Sequence, residues 1–528
     1  QRERLLTPRF ALLVVPQSPP QSPRTPAMEQ AEACGGKSGA QAASGSGLVR
    51  EAAPAAFVLA PFVASGEASG VVTHPKSIES SEEINGIDVL FYELCEAELG
   101  STPMFITAFF VTERQPKAAD VQATLRQLVL RNPRLALVPE RSTRWTSQPV
   151  LLAKHCLLVR PKHGHLTEQM LPQALSFCNS LKMQADGRIP LWRQYILPLE
   201  DGRCGVLTVL HHCYGDGQGG VGAMLSLVSS GERGSKPQTW APLQKRDVIH
   251  RHGALDVLLL IVAVLLASIT LSIKGLRILF TWKSAFQGSG SVPSSRKRCQ
   301  WTKALRLEAV RDAKNILSKR WKHKVTINDI MLGVLSASFA DFMRRTKRPQ
   351  DSIYAGVPFS YARRGPTDAR LRNLSIVLPM FMPTKTCEVV QAIADVNSAS
   401  EALKRDALGE APLLWFLDAF FLAHVPMVLK MPIVRLLMNR MSVILTNVPG
   451  PKEPCAFAEQ RIQEFVPFAP SPGAGALGIA MISYGDRYTV GIYTDASQEH
   501  PAEEMVARTF EQKFEELAHQ LSVPAPFA

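Results

Sequence analysis

The sequence lacks the paired cysteines that hold structural metals or build disulfide frameworks. Its nine cysteines are scattered along 528 residues, and no two are spaced as Cys-x-x-Cys. Structural zinc sites need closely spaced thiolate and imidazole ligands, and disulfide-rich domains concentrate their cysteines in short secreted chains. The pattern therefore predicts no metal site, and it indicates ordinary buried thiols in a reducing compartment.

The sequence also lacks the motifs of nucleic-acid binding, although its formal net charge is +13. It has no zinc finger, no aromatic run of the RNA-recognition type and no homeodomain-like helix. The basic residues are dispersed, with short clusters such as 319–324 and 344–348, each of which also suits a solvated helix face. Attraction to an anionic lipid surface or a phosphate-bearing substrate explains the charge equally well. We therefore predict no nucleic-acid partner.

The chain is too long for one ordinary hydrophobic core. Two large domains, or two half-domains around a cleft, are expected for this length. Residues 1–83 are rich in Ala, Gly, Ser and Pro, and we predict a disordered or targeting extension there. From residue 84 onward, short apolar strands alternate with amphipathic helices, which predicts an α/β fold with mixed sheets.

One apolar, β-branched run ends on two adjacent histidines. Residues 207–210 lead into His211 and His212, and a Gly-Asp-Gly turn centred on Asp216 precedes a Gly-rich apolar segment. This order predicts a strand, a tight turn and a helix. A strand end holds a side chain rigidly at the edge of a cleft, and histidine is well suited to accept a proton at neutral pH. Asp216 is placed to orient an imidazole or to anchor the loop. A chance pair of histidines is the alternative, which the Asp and Gly spacing disfavours.

Two stretches are apolar enough to meet a membrane. Residues 257–273 carry no charge, which puts them at the short end for a bilayer span of roughly 20 residues. Basic residues flank this run on both sides, so charge bias predicts no orientation. Residues 411–438 are apolar but are broken by Pro426 and Pro432. They are predicted to form two amphipathic helices, in a core or on a membrane surface.

From about residue 84 to 521 the sequence resembles the wax ester synthase/acyl-CoA:diacylglycerol acyltransferase family, within the superfamily of CoA-dependent acyltransferases built like chloramphenicol acetyltransferase. The resemblance rests on four motifs in this order: Pro190-Leu191-Trp192, His211-His212-x-x-x-Asp216-Gly217, Asn328-Asp329 and Asn447-Val448-Pro449-Gly450-Pro451. The histidine motif alone marks only the superfamily, which includes condensation domains and carnitine acyltransferases. The other three narrow it to the ester-forming branch. The departures are Cys213-Tyr214 inside the histidine motif, the long N-terminal extension and the apolar run at 257, which resembles the plant-type members.

The resemblance implies two half-domains, each a mixed sheet with helices, and an active-site channel between them. The N-terminal half would occupy 84–245 and the C-terminal half 299–528, with an apolar membrane-associated segment and linker at 246–298. It also implies that the second histidine of the motif, His212, is the general base. Asp216 would be mainly structural, and His211 would be a packing or hydrogen-bonding neighbour.

The implied reaction is direct transfer of a long-chain acyl group from acyl-CoA, a co-substrate, to a lipid hydroxyl, with no other cofactor. An imidazole takes the hydroxyl proton as the oxygen attacks the thioester. The resulting oxyanion needs a hydrogen-bond donor worth roughly 3–4 kcal/mol. Asn328 is the first candidate donor, with Asn447 or Thr446 as alternatives, although Asn328 also suits a helix start that bonds only backbone. The predicted substrate-binding residues are Gly217, Trp192, Asn447, Pro449 and Gly450. For Trp192 a core position is the alternative, and for Pro449 and Gly450 a rigid turn.

The acceptor is a fatty alcohol, giving a wax ester, or diacylglycerol, giving triacylglycerol, and the sequence leaves both open. Two other classes of function are alternatives. One is a non-catalytic lipid-surface protein that keeps the fold, against which the intact His212 and Asp216 argue. The other is a carrier-dependent condensation module, although no carrier domain is recognisable in the chain.

The position of the apolar run constrains membrane topology. If 257–273 crossed a bilayer once, His212 and Asn328 would lie on opposite sides, and a site built from both halves would not assemble. The stretch to Phe280 is too short for two crossings, which need roughly 40 residues. We therefore predict a monotopic or re-entrant anchor on a membrane or lipid-droplet surface. The predicted location is the cytosolic face of the endoplasmic reticulum, with the plastid or a lipid droplet as alternatives.

Overall fold

The structure is a computed structural model. It describes residues 56–63, 71–73, 86–96, 104–140, 144–181, 183, 189–225, 229–230, 254–281, 285–287, 294, 296–360, 371–422, 424–498 and 500–527. These residues belong to one unit, Pro54–Ala528. Most of the extension predicted for 1–83 lies outside the described residues.

Helices and strands alternate along the described residues. The helices are α1 (Gly86–Glu96), α2 (Ala118–Arg131), α3 (Leu152–His155), α4 (Leu171–Ser180), α5 (Gly217–Leu225), α6 (Ala254–Phe280), α7 (Leu307–Trp321), α8 (Ile327–Arg345), α9 (Val389–Leu417), α10 (Met427–Arg440) and α11 (Ala502–Leu521). Short 3-10 turns occur at Pro133–Ala136, Glu168–Met170 and His212–Tyr214, and a π-helical turn, Asp418–Leu422, follows α9.

The strands build two large sheets and two short ribbons. They are β1 (Phe57–Pro61), β2 (Val71–Val72), β3 (Phe105–Thr112), β4 (Leu137–Glu140), β5 (Arg144–Ser147), β6 (Val150–Leu151), β7 (Cys156–Pro161), β8 (Trp192–Pro198), β9 (Cys204–His211), β10 (Ser229–Ser230), β11 (Lys297–Trp301), β12 (Leu305–Arg306), β13 (Ser352–Ser360), β14 (Ser375–Pro383), β15 (Val443–Val448), β16 (Cys455–Phe457), β17 (Gln460–Phe468), β18 (Leu477–Tyr484) and β19 (Arg487–Asp495).

The first large sheet has the order β1-β7-β8-β9-β3-β17-β16-β10 and is mixed, because β7 and β8 run parallel. Its strand β9 lies between β8 and β3 and is buried along almost its whole length. A strand buried on both faces has a near-continuous apolar sequence, which is what residues 204–210 show. In this register His211 stands opposite Phe105 of β3.

The second large sheet has the order β11-β19-β18-β15-β13-β14, with β12 also pairing β19. Here β15 runs parallel to both β13 and β18, while β18 and β19 form an antiparallel hairpin around residues 485–486. Helices α8 and α11 pack on it through an apolar core that includes Phe339 and Phe510. Two mixed sheets with helices confirm the α/β fold class.

Two predicted boundaries need correction. The extension predicted for 1–83 was too long, since Phe57–Pro61 forms the edge strand β1 and pairs with β7. The first sheet also crosses the predicted division between the N-terminal and C-terminal halves. Strands β16 and β17, which lie within 299–528, join the first sheet, where β17 pairs with β3. This pairing satisfies backbone groups of β3 that would otherwise form an open sheet edge.

The two apolar stretches are helical. Residues 257–273 lie within the longer helix α6, whose part Ile261–Phe280 has a mean hydropathy of 1.9 and is long and apolar enough to cross a membrane. The second stretch forms the end of α9, the π-helical turn and α10. Pro426 immediately precedes α10, as predicted, whereas the break predicted at Pro432 is wrong, since this proline lies inside α10. Helix α6 packs against α9 and α10.

Candidate active site

Strand β9 ends at His211, and the chain turns at His212. The backbone N–H of His212 donates to the carbonyl of Met104 at 2.8 Å, and the residue opens a 3-10 turn. His212 is half-buried and lines a cavity, whereas His211 is only 2% exposed and packs into the core. The turn therefore separates the two side chains into different environments.

The cavity beside His212 is mainly apolar and takes its walls from both halves of the chain. It encloses about 1310 Å³, its open mouth included. Elements on both sides of α6 in the sequence supply the lining, which includes Phe91, Met104, Trp192, Leu210, Pro358, Val377, Ile444 and Phe465. An apolar cavity with a few polar groups at one end is the usual form of a binding site for an apolar ligand.

A second, more polar cavity of about 670 Å³ adjoins the first. The two have in common the lining residues Asp216, Gly217, Pro358, Ser375, Thr446 and Val448. Asn328 and Asn447 line this second cavity, in which the side-chain amide of Asn447 donates to the Oδ1 of Asn328. Of the three predicted oxyanion donors, Thr446 is thus the one that lines the cavity that His212 also lines.

The surroundings of His212 keep its imidazole neutral. Burial lowers the pKa of His212 to about 4, and the nearby Asp216 carboxylate and Asn373 amide offset only part of this effect. The ring of Phe91 packs on the imidazole with 3.9 Å between ring centroids. A neutral imidazole accepts a proton, so His212 meets the chemical requirement for a general base near pH 7.

His211 is placed as a structural residue. Its Nδ1 accepts a hydrogen bond from the backbone N–H of Cys213 at 3.2 Å, so the proton of the neutral ring resides on Nε2. The rings of Tyr92 and Phe105 pack near it, at centroid distances of 6.4 and 5.9 Å. Burial lowers the pKa of His211 to about 3, which keeps it neutral as well.

Asp216 connects the histidine turn to the C-terminal half. Its Oδ1 accepts from the backbone N–H of Gly219 at 2.8 Å, in the first turn of α5, and its Oδ2 accepts from the backbone N–H of Leu374 at 2.9 Å. Gly215 allows the close approach, because a Cβ there would lie 3.0 Å from the backbone nitrogen of Arg372. The carboxylate thus caps a helix and bridges two distant segments.

The other predicted residues fall into two groups. Trp192 lines the apolar cavity, but it is 1% exposed, and its indole N–H donates to the Leu135 carbonyl at 2.9 Å. Pro449 and Gly450 line neither of the two cavities. A Cβ on Gly450 would lie 2.0 Å from the carbonyl oxygen of Ser483, so this glycine permits close packing of the chain after β15.

The helix-start alternative for Asn328 is not what the contacts show. The cap of α8 is made by Thr326 and Asp329, whose side chains each accept from the other's backbone N–H. Asn328 is exposed at the polar cavity and bonds Asn447 instead. Within the described part of the chain, no group of three or more His, Cys, Asp or Glu side chains is arranged to hold a metal ion.

Comparison with protein-family models identifies the family to which this chain belongs. The model of the wax ester synthase/diacylglycerol acyltransferase catalytic domain matches residues 167–329, and that of the WS/DGAT C-terminal domain matches 373–518. Together the two matches span more than half of the chain. The chain belongs to the wax ester synthase/diacylglycerol acyltransferase family. It is an acyltransferase, as the order of the four motifs predicts.

Individual relatives of the acyltransferase agree with this assignment. A probable diacylglycerol O-acyltransferase of Mycobacterium tuberculosis is 26% identical over 319 residues, which are 58% of this chain and 67% of that protein. Wax ester synthase/diacylglycerol acyltransferase 9 of Arabidopsis thaliana is 21% identical over 419 residues, covering 70% of this chain and 83% of the relative.

Solved structures share the fold of the acyltransferase. The wax ester synthase/diacylglycerol acyltransferase of Marinobacter aquaeolei VT8 aligns with a TM-score of 0.54 and 16% identity, over 84% of this chain and all of that one. The first condensation domain of the calcium-dependent antibiotic synthetase aligns with a TM-score of 0.54 and 12% identity, over 85% and 98% of the two chains. The predicted architecture is confirmed.

Sequence patterns missed three residues that support the histidine turn of the acyltransferase. Asp88 on α1 is fully buried, forms an ion pair with Arg134, and accepts from the side-chain amide of Asn373 at 2.6 Å. The one available signal was a carboxylate inside the apolar part of an amphipathic segment. Its partners lie 46 and 285 residues away, so no spacing rule identifies them.

Proposed function

We propose that this acyltransferase transfers a long-chain acyl group from acyl-CoA to the hydroxyl of a fatty alcohol or of diacylglycerol, with His212 as the general base. The observation that supports this most strongly is a neutral imidazole on the wall of an apolar cavity built from both halves. Such a cavity suits a lipid acceptor, which has one polar group and a long apolar chain.

The reaction proceeds by direct transfer. The imidazole of His212 takes the acceptor's hydroxyl proton while the oxygen attacks the thioester carbonyl carbon. The tetrahedral intermediate then expels the CoA sulfur, which receives that proton from His212, so no covalent enzyme intermediate forms. We propose that the Thr446 hydroxyl donates the hydrogen bond to the oxyanion, since Thr446 lines both cavities whereas Asn328 lines only the polar one.

The two cavities suggest which part of the substrates each of them binds. The polar cavity, with Gln218, Ser360 and the bonded pair Asn328 and Asn447, suits the amide-bearing arm of CoA. The apolar cavity suits the acyl chain and the lipid acceptor. The thioester then lies where the cavities adjoin, beside Gly217 and Thr446.

We further propose that the protein docks on a lipid surface. Helices α6 and α10 and the end of α9 expose many large apolar side chains, among them Leu265 (61%), Ile273 (60%), Phe280 (85%), Trp415 (46%) and Val428 (77%). We call this the apolar helix surface. Exposed apolar area on this scale is typical of a membrane or partner interface. The proposed location is the cytosolic face of the endoplasmic reticulum, with the plastid or a lipid droplet as alternatives.

Contacts along α6 support docking rather than a crossing. Lys274 forms ion pairs with Glu410 at 2.6 Å and with Asp406 at 2.9 Å, both on α9. Gly409 lets the helices touch, since a Cβ there would lie 2.3 Å from the carbonyl oxygen of Ala263. A helix fastened lengthwise to the folded body lies on a membrane more readily than it crosses one.

The deciding experiment supplies purified protein with labelled acyl-CoA and either a fatty alcohol or diacylglycerol. Ester should form with at least one acceptor, and His212→Ala should reduce its rate about 10²- to 10⁴-fold, the usual contribution of a general base. His211→Ala is the matched control and should cost less. Ester formation at the normal rate by His212→Ala would refute the base assignment.

The same assay separates the alternatives. A non-catalytic lipid-surface protein would form no ester with either acceptor, and a condensation module would use carrier-bound acyl groups in place of acyl-CoA. For the topology, tags placed before residue 250 and after 290 should show the same protease accessibility in membranes. Protection of one tag alone would overturn monotopic docking.

A further inference from the structure

A buried polar network outside the four sequence motifs holds the turn that carries His212. The side-chain amide of Asn373 donates one hydrogen bond to the peptide carbonyl of His212 at 2.7 Å and another to Oδ1 of Asp88 at 2.6 Å. Since an amide nitrogen has two protons, these two acceptors use both. The orientation of Asn373 is therefore set by Asp88 and by His212 together.

The second carboxylate oxygen of Asp88 is paired with a cation. Its Oδ2 forms an ion pair with Arg134, which also donates to the carbonyls of Tyr214 at 3.2 Å and Leu371 at 3.1 Å. Tyr214 belongs to the histidine turn, and Leu371 lies two residues before Asn373. One buried cluster thus holds both chain segments that meet behind the imidazole.

Helix α1 contacts His212 in a second way. It provides Asp88, which reaches the His212 peptide through Asn373, and one turn later it provides Phe91, whose ring packs on the imidazole. The backbone and the ring of His212 are therefore both restrained from the same helix. Asp216 adds a further tie between the turn and residues 374–375.

We propose that Asn373 and Asp88 are positioning residues: Asn373 fixes the peptide of His212, and Asp88 fixes the amide of Asn373. This inference rests on the proposed role of His212 as base. The two residues act through His212 and not on the substrate. Because a displacement of about 1 Å in a reacting group costs about 10²-fold in rate, loss of this restraint should appear mainly in kcat.

The test compares Asn373→Ala with Asn179→Ala. Asn179 is also fully buried, and its amide donates to the Leu175 carbonyl at 3.0 Å, on α4 and outside both cavities. Both variants should lower the melting temperature. Only Asn373→Ala should lower kcat, by about 10²-fold, with the KM for acyl-CoA within about twofold of the parent. Equal kcat in the two variants would overturn the proposal.

A readout independent of turnover separates this inference from the proposed reaction. In protein labelled with ¹³C-histidine, the His212 resonance is assigned by its absence from His212→Ala and followed against pH. Burial lowers the pKa of His212 to about 4, and the Asn373 amide raises it against that effect, so in Asn373→Ala the titration midpoint of His212 should move to lower pH. It should not move in Asn179→Ala. An unmoved His212 titration in Asn373→Ala would refute positioning, whatever the activity assay shows.

A second variant covers the case in which Asn373→Ala does not fold. Asp88→Asn keeps an oxygen for Asn373 to bond while it removes the charge that Arg134 neutralises. It should fold with reduced stability, lower kcat by about tenfold, and shift the His212 titration in the same direction. Unchanged kcat and titration in folded Asp88→Asn would overturn the role of Asp88. If wild-type protein forms no ester but these titrations shift as described, the proposed reaction fails and the positioning stands.

Discussion

Asp88 and Glu410 are both fully buried carboxylates, yet they stabilise regions with different tasks. Asp88 pairs with Arg134 in the interior and restrains the turn of His212. Glu410 pairs with Lys274 and fastens α6 to α9 beneath the apolar helix surface. A similar interaction thus serves the geometry of a site in one region and the attachment of a helix in the other. The two pairs should therefore be separable by activity and by membrane binding.

The largest effect is expected for Asp88→Ala. Removing this carboxylate leaves the guanidinium of Arg134 buried without its counter-charge, which typically costs about 3–5 kcal/mol in the free energy of unfolding. Catalytic rate should fall with stability. Denaturant unfolding and initial rates on the folded fraction measure both. A variant that loses stability but keeps the parent kcat would break the proposed link to His212.

A smaller effect is expected for Glu410→Ala. Lys274 keeps its second partner, Asp406, at 2.9 Å, so the loss in unfolding free energy should be about 1–3 kcal/mol. The kcat with a detergent-dispersed acceptor should stay at the parent value, while flotation with phospholipid vesicles should weaken. If kcat falls as in Asp88→Ala, the two regions are not separable and the comparison is wrong.

Substitution on the apolar helix surface itself should weaken lipid binding and leave folding stability almost unchanged. Leu265 and Ile269 are 61% and 59% exposed, so Leu265→Asp and Ile269→Asp should change folding stability by no more than about 0.5 kcal/mol. Burial of one such side chain in lipid contributes roughly 1.5–3 kcal/mol, so each variant should bind vesicles about tenfold more weakly or worse. Ile316→Asp, on the exposed side of α7, is the matched control and should bind like the parent.

Acid should have the smallest effect, and it should lower stability at a higher pH than it lowers activity. Burial lowers the pKa of His212 to about 4, so kcat/KM should stay level from pH 7 to about 5 and fall as His212 gains its proton. Stability should begin to fall earlier. The pKa values of His211 and His155 are lowered to about 3 and about 4, and the unfolded chain binds these protons near pH 6.5. Stability is thus complete above 6.5 and declines below it. An activity midpoint near 6.5 in stable protein would contradict a buried neutral base.

Local sequence patterns predicted much of the site. The apolar run before His211 predicted β9, and the Gly-Asp-Gly turn predicted the start of α5. The roles of Pro449 and Gly450 were harder to predict from the sequence. Their motif suggested substrate binding, but Gly450 packs against Ser483, a contact made across adjacent parallel strands.

The sequence by itself determined the class of the fold, the strand that carries the histidines and the family, because these depend on periodicity, turn residues and ordered motifs within short stretches. Only the tertiary structure decided that β17 joins the first sheet and that Asp88 and Asn373 meet behind His212. The physical reason is that a buried charge or amide must find partners wherever the fold brings them. For Asp88 the fold places them in segments that no local pattern connects.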